Sequence, residues 1–154
     1  MTKKSILVIG SSNTDMIIQV ERLPKPGETI LGGEFTSAAG GKGANQAVSA
    51  ARAGGDVTFI ARVGQDVFGE KAIAGFVADK INVDYIVRDG ASPSGVALIF
   101  VGKRGENSIA VASGANGQLS PLDVRRAKNV FRDASVVLLQ LETPLKTVQT
   151  AVEL

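Results

Sequence analysis

Short apolar segments alternate along this chain with segments whose apolar residues recur at helical spacing. The apolar segments are residues 5–10, 57–61, 85–87 and 136–141. Because a helix that follows each strand can cover the sheet and carry the chain back, this alternation is typical of parallel α/β proteins. The pattern predicts an α/β fold, with a parallel Rossmann-like sheet and helices on both faces.

Four helices are expected to accompany these strands, and each should turn its apolar positions toward the sheet. Those positions are Ala44, Ala47, Val48 and Ala51 in the first helix, Ile73, Phe76 and Val77 in the second, Ala127, Val130, Phe131 and Ala134 in the third, and Leu145, Val148 and Val152 in the fourth. The third helix should begin at Pro121 with Ser120 as its N-cap. Thr143 and Pro144 should cap the fourth.

Two stretches interrupt the alternation. Residues 16–20 and 29–31 flank a Pro- and Gly-containing turn, and residues 96–101 and 108–112 flank a second turn. Each stretch reads as a hairpin inserted between strand–helix units. Either the hairpins decorate the edge of the main sheet, or they form a small separate antiparallel sheet that closes over a site or pairs with a second subunit.

Composition narrows the possible functions. The chain has 154 residues, 17 Lys and Arg against 15 Asp and Glu, and neither Cys nor His. A net charge of +2 gives no strong attraction to nucleic acid or anionic membrane, and no apolar run is long enough to span a bilayer. Without Cys the expected compartment is the cytoplasm, and without His most zinc sites and imidazole catalysis are excluded. The polar start, residues 1–4, is not that of a signal peptide.

The C-terminal end of the chain is unusual for a complete domain. Residues 136–141 are apolar on both faces, as in a central strand, yet no later segment is available to pair with their outer edge. The final helix ends without a glycine or a basic last turn. We expect the chain to be the first portion of a longer protein; the alternative is a small domain whose last helix frays.

Polar side chains at three places, after two of the predicted strands and at the start of a helix, are expected at the same end of the sheet. Asn13 and Asp15 follow the first strand, Lys42 and Asn45 lie in a glycine-rich helix start, and Glu142 follows the last strand. Ligands of open parallel sheets bind at the carboxyl ends of the strands. Carboxylates accept hydrogen bonds, amides donate and accept, and an ammonium group donates, which suits a neutral polyhydroxy ligand such as a sugar.

Each of these residues also has a purely structural interpretation. Asn13 and Asp15 are common in Asx-turns, Lys42 can be a solvated surface charge, and Glu142 can favour a helix start. The glycines can serve tight packing. Two common nucleotide motifs are missing: residues 10–15 do not match G-x-G-x-x-G, and Lys42 is followed by glycine instead of Ser or Thr.

Several motifs together resemble the N-terminal half of the ribokinase-like carbohydrate kinase family. They are Gly10-Ser11-Ser12-Asn13-Thr14-Asp15, Pro26-Gly27-Glu28-Thr29, Gly40-Gly41-Lys42-Gly43-Ala44-Asn45-Gln46-Ala47, Val63-Gly64-Gln65-Asp66 with Phe68-Gly69, Gly114-Ala115-Asn116 and Gln140-Leu141-Glu142. The resemblance covers essentially residues 1–154 in register. The segment 40–47 is more similar to family members acting on ribose than to kinases of phosphorylated sugars or nucleosides.

The resemblance implies a fold, a reaction and a set of binding residues. The fold is an α/β core with a small β-sheet lid, here about residues 14–36 and 94–112, and the lids of two subunits clasp into a homodimer. The reaction moves the γ-phosphoryl group of ATP, with Mg²⁺, to the 5-hydroxyl of D-ribose, with K⁺ as activator. Sugar binding is implied for Asn13, Asp15, Gly41, Lys42, Gly43, Asn45 and Glu142.

The second signature of the family, Asp-Thr-x-Gly-Ala-Gly-Asp, is absent from the chain. In the family that segment carries the general base, with the ATP and K⁺ sites nearby. No catalytic residue or metal site is therefore expected within residues 1–154, and the chain by itself should show no kinase activity. A kinase of another sugar or nucleoside, and a sugar-binding module without catalysis, remain open.

Overall fold

The computed structural model describes residues 5–154; the polar start at residues 1–4 lies outside the described residues. The elements in chain order are β1 (Ser5–Ile9), β2 (Asn13–Val20), β3 (Phe35–Gly40), α1 (Lys42–Arg52), β4 (Asp56–Gly64), α2 (Val67–Ala78), β5 (Ile86–Asp89), β6 (Gly95–Gly102), β7 (Asn107–Ala112), a short 3-10 helix (Gly114–Gln118), α3 (Pro121–Arg126), α4 (Lys128–Asp133), β8 (Val136–Leu139) and α5 (Leu145–Glu153).

The main sheet has four parallel strands in the order β5-β4-β1-β8. Successive residues of its central strand β1 point to opposite faces. Val8 packs with α1 and α2 residues such as Ala47 and Phe76, whereas Leu7 and Ile9 pack with the side that carries α3 and α5. The predicted parallel sheet with helices on both faces is therefore confirmed.

A second four-stranded sheet has the order β3-β2-β6-β7. Of the two alternatives, the separate small sheet is therefore the one present, but it joins two antiparallel pairs through the parallel pair β2–β6 and so is mixed instead of antiparallel. The reason lies in the connections. Strands β2 and β6 each continue from a strand of the parallel main sheet, β1 and β5, and so leave that sheet in the same direction.

The first hairpin differs from the predicted one. Residues 29–31 are not a strand; the partner of β2 is β3, after a long loop. In that loop Glu28 pairs with Arg22 and accepts a hydrogen bond from the backbone of Lys25 at 2.9 Å, which closes a turn with Gly27 at φ +76°. Strand β3 carries small residues with little apolar alternation, so the sequence pattern did not reveal it.

The last two predicted helices also differ in detail. The helix that starts at Pro121, with the expected Ser120 cap, ends at Arg126, and α4 follows as a separate short helix. On α5 the predicted inward residues Leu145 and Val152 are 62% and 72% exposed. Threonines face the core instead, because Thr147 Oγ1 donates to the carbonyl of Leu119 at 2.6 Å and is thereby satisfied.

Strand β8 lies at an edge of the main sheet. Among residues 5–154 no strand pairs with its outer side, and Val136 and Val137 are 44% and 38% exposed. The hydrophobic side chains of Leu141 and Leu145 beyond it are also exposed. In the part of the chain that the structure describes, no helix has the length and apolar character needed to cross a membrane.

Candidate functional site

The carboxylate of Glu142 lies where the ends of β1 and β8 meet the start of α1. These two strands are neighbours in the sheet, so the residues that follow them are adjacent. Ser11 Oγ donates to Glu142 Oε2 at 2.6 Å, and the backbone N–H of Lys42 donates to the same oxygen at 3.0 Å. The ammonium group of Lys42 pairs with Oε1. Glu142 therefore neutralises the positive end of α1 and the charge of Lys42 together.

This environment determines the ionisation of Glu142. Burial by itself raises the pKa of the carboxyl group, but hydrogen bonds from Lys42 and Ser11 outweigh it, and the pKa lies below its ordinary value. Glu142 is consequently a carboxylate at neutral pH and can accept further hydrogen bonds.

The glycines of the segment 40–43 allow the backbone of α1 to approach the residues after β1. Gly41 has φ +92° and forms the N-cap of α1, and a Cβ there would lie 2.9 Å from the backbone nitrogen of Asn13. A Cβ on Gly43 would lie 2.6 Å from the backbone nitrogen of Ser11. Both glycines therefore allow close packing of backbone on backbone, as the purely structural interpretation of these residues expects.

Asn13 and Asp15 share one face of β2, since they are two residues apart. The carboxylate of Asp15 lies over Gly40 of β3, where a Cβ would come within 2.2 Å of Asp15 Oδ1. Burial, and then the negative charge of Glu142, raise the pKa of Asp15 above its ordinary value. Asp15 and Glu142 therefore lie near enough to interact electrostatically, although they are 127 positions apart in sequence (142 − 15).

Two cavities border this region. The smaller, of about 170 Å³, is lined by Ser11, Asn13, Val111, Ser113, Asn116 and Glu142. The larger, of about 570 Å³, lies between β3, α1 and α2 and includes Asn13 and Asn45. Asn13 and Glu142 thus line the same small cavity, and Lys42 is paired with Glu142, whereas Asn45 lines the larger cavity and Asp15 lines neither of the two.

Ser11, Ser113 and Asn116 are polar residues of this site that sequence reasoning did not assign. Ser11 could have been found, since it follows a buried strand directly. Asn116 belongs to the motif Gly114-Ala115-Asn116, but its contact could not be predicted, because it lies in a 3-10 helix after a hairpin, far in sequence from Ser12, to which it is bonded.

Among residues 5–154 no three His, Cys, Asp or Glu side chains gather in a way that could hold an ion. The Asp15 and Glu142 pair does not fit Mg²⁺ either, since the ammonium group of Lys42 already balances Glu142.

Comparison with known proteins gives a consistent family. A family model described as pfkB family carbohydrate kinase matches residues 3–154. The chain is 42% identical over 152 residues to a ribokinase of Haemophilus influenzae, covering 99% of this chain and 50% of that protein. It is 41% identical over 148 residues to a deoxyribokinase of Salmonella typhimurium, covering 96% and 48%.

A solved structure is similar as well. The ribokinase of Arabidopsis thaliana, solved in complex with ribose and ATP, superposes with a TM-score of 0.77 at 33% identity, covering 99% of this chain and 51% of that one. The chain spans about half the length of these relatives. The match of the family model over nearly all residues, together with the fold, shows that this chain belongs to the pfkB family of carbohydrate kinases.

Proposed function

We propose that this chain supplies the sugar-binding part of an ATP-dependent kinase that phosphorylates D-ribose at its 5-hydroxyl. The observation that carries the proposal is the cavity lined by Asn13 and Glu142, with Asp15 two residues beyond Asn13 on the same face of β2. Carboxylates accept hydrogen bonds from hydroxyl groups, and the amide of Asn13 can complete the recognition of a neutral polyol.

We propose the following roles for the individual residues. Asp15 and Glu142 accept hydrogen bonds from sugar hydroxyls, and Lys42 keeps Glu142 ionised through their ion pair. Gly41 and Gly43 hold the start of α1 against the rim. Asn45 borders the sugar from the side of the larger cavity.

A close alternative is a kinase of deoxyribose. The Salmonella deoxyribokinase is almost as similar to this chain as the Haemophilus ribokinase, at 41% against 42% identity. The two sugars differ in one hydroxyl, and a site built to bind that hydroxyl discriminates strongly against the analogue that lacks it. Two further alternatives are a kinase of another sugar or a nucleoside, and a sugar-binding module without catalysis. The ligands used below to test the ribose proposal test these alternatives as well.

ATP with Mg²⁺ as co-substrate, and K⁺ as activator, are proposed for the kinase to which this chain belongs. Residues outside the chain are proposed to hold them. Phosphoryl transfer depends on positioning and on stabilisation of charge, and the sugar-binding residues here contribute the positioning. A cytoplasmic location is proposed because the sequence contains no cysteine.

We further propose that the mixed sheet acts as a lid and as a homodimer interface. The strand register places Leu98, Phe100 and Phe35 on the face turned away from Asp15, and Leu98 and Phe35 are 50% and 64% exposed. A second copy of the chain would cover these side chains. Sedimentation should give a dimer that Leu98→Lys converts to a monomer, while Leu122→Lys, on the exposed part of α3, leaves it unchanged; a monomeric parent chain would contradict this proposal.

The function is tested in two steps. The purified chain should bind D-ribose more tightly than fructose or adenosine and should not transfer phosphate from ATP to any of them. Residues 1–154 joined to the remaining half of the Haemophilus ribokinase should then phosphorylate D-ribose, and Asp15→Ala should abolish this. Preference for 2-deoxyribose would favour the alternative, and phosphorylation of none of the sugars would contradict the kinase proposal.

A further inference from the structure

Asn116 determines which way round the amide of Asn13 is held. Asn116 is 2% exposed, and its Oδ1 accepts a hydrogen bond from the backbone N–H of Ser12 at 2.8 Å. Its Nδ2 donates to the carbonyl oxygen of Ser12 at 3.1 Å and to Oδ1 of Asn13 at 2.7 Å. Both hydrogens of Nδ2 are therefore used, one on each neighbour.

The orientation of both amides follows from this arrangement. The oxygen and nitrogen of an amide can be exchanged with little change in shape. For Asn116 the exchange is excluded, because the N–H of Ser12 can only donate and its carbonyl can only accept. Asn13 must then present its oxygen to Asn116, which turns its own NH₂ group away. Among residues 5–154 nothing accepts a hydrogen bond from that NH₂ group, and Asn13 lines both cavities.

Gly95 of β6 provides the space for this hydrogen bond. A Cβ at Gly95 would lie 2.2 Å from Asn116 Nδ2 and 2.2 Å from Asn13 Oδ1. Any side chain at this position would therefore separate the two amides without removing either of them.

We propose that Asn116 is a positioning residue that holds Asn13 as a hydrogen-bond donor toward the sugar. Asn13 then donates a hydrogen bond to a ligand oxygen, while Asp15 and Glu142 accept hydrogen bonds from ligand hydroxyl groups. The site thereby recognises a hydroxyl group both as a hydrogen-bond donor and as a hydrogen-bond acceptor. Naming the ligand as a sugar rests on the proposed function, whereas the orientation of the two amides does not.

The orientation is tested without any ligand. In labelled protein, a scalar coupling across the hydrogen bond should connect the side-chain nitrogen of Asn116 with the side-chain carbonyl carbon of Asn13. Gly95→Ala should remove it. A coupling in the reverse direction, or none in the unaltered chain, would overturn the proposal even if the protein binds no sugar.

The effect on recognition is tested with D-ribose by calorimetry. Asn116→Ala and Gly95→Ala should each weaken binding about tenfold, as expected for one lost hydrogen bond, and Asn129→Ala on exposed α4 should not. In an Asn13→Ala background, Asn116→Ala should cause no further loss. A further loss there would mean that Asn116 affects binding by a route other than Asn13, which would overturn the positioning role.

If Asn116→Ala does not fold, a second substitution at the same position provides the test. Asn116→Asp keeps the acceptor for Ser12 but places an oxygen against Asn13 Oδ1, so it should weaken D-ribose binding as Asn116→Ala does; unchanged binding would count against the proposal. If the unaltered chain binds no D-ribose, the proposed function fails, and the scalar coupling still decides the orientation.

Discussion

Glu142 connects three parts of the molecule through one carboxylate. It follows β8, and it accepts hydrogen bonds from Ser11 after β1 and from the backbone of Lys42 at the start of α1. Sequence analysis could assign Glu142 to the end of a strand. It could not predict the pairing with Ser11 and Lys42, because that pairing depends on β8 lying beside β1, and strand order is not encoded in local periodicity.

Glu142→Gln should lower the free energy of unfolding by about 1–2 kcal/mol, since hydrogen bonds to a charged acceptor are stronger than those to an amide. Partial solvation of the Glu142 carboxylate keeps the loss from being larger. Urea unfolding at pH 7 measures the change. Glu34→Gln, at an exposed position before β3, is the matched control and should leave the midpoint unchanged. Equal midpoints for Glu142→Gln and the unaltered chain would contradict the proposed linking role.

Alanine substitutions at Gly41 and Gly54 distinguish the free-energy cost of a strained backbone conformation from the cost of disrupted close packing. Both have φ +92°, but only Gly41 would bring a Cβ within 3.0 Å of neighbouring backbone atoms. Gly54→Ala should cost about 1–2 kcal/mol from the left-handed conformation alone. Gly41→Ala should cost about 1–3 kcal/mol more, because the start of α1 must shift. Equal losses in chemical denaturation would show that close packing at Gly41 contributes nothing.

The main sheet was the part of the fold most accessible to sequence reasoning. Continuous apolar strands and Ser120 before Pro121 gave clear indications, and the structure has both. The face of α5 was predicted wrongly because Thr147 is buried through a hydrogen bond to a distant carbonyl. Helical periodicity counts apolar residues and does not register threonines that are satisfied inside the core.

The connection between the main sheet and the mixed sheet is held by Asp66. This side chain caps α2 by accepting from the backbone of Gly69 at 2.9 Å, and it also accepts from the backbone and hydroxyl of Ser94, each at 2.7 Å. Burial raises the pKa of Asp66, but these hydrogen bonds outweigh it and hold the pKa below its ordinary value. Ser94 directly precedes β6, so Asp66 fastens one strand of the mixed sheet to the core.

Asp66 should therefore make stability depend on pH in a defined direction. A carboxyl group whose pKa is lower in the folded state stabilises the fold above its unfolded pKa, and this contribution is lost as the pH falls through the folded value. Asp66→Asn should destabilise the chain at pH 7 and much less at pH 2–3. Thermal unfolding across this range measures it, with Asp133→Asn at the end of α4 as control. A loss that is the same at every pH would contradict this account.

At the scale of the whole molecule, two sheets meet where the sugar is proposed to bind. The main sheet contributes Ser11 and Glu142, and the mixed sheet contributes Asn13 and Asp15. The convergence of polar residues could be predicted, since parallel strands end at one rim. The mixed topology could not, because it follows from the directions in which β2 and β6 leave the core.

The most direct measurement is a titration of the isotope-labelled chain with D-ribose, followed by the chemical shifts of its backbone amides. We expect saturable changes that cluster at residues 11–15, 40–45, 95–97 and 142, and that disappear in Asp15→Ala while the rest of the spectrum is unchanged. Saturable changes confined to other surfaces, or changes that persist in Asp15→Ala, would contradict it.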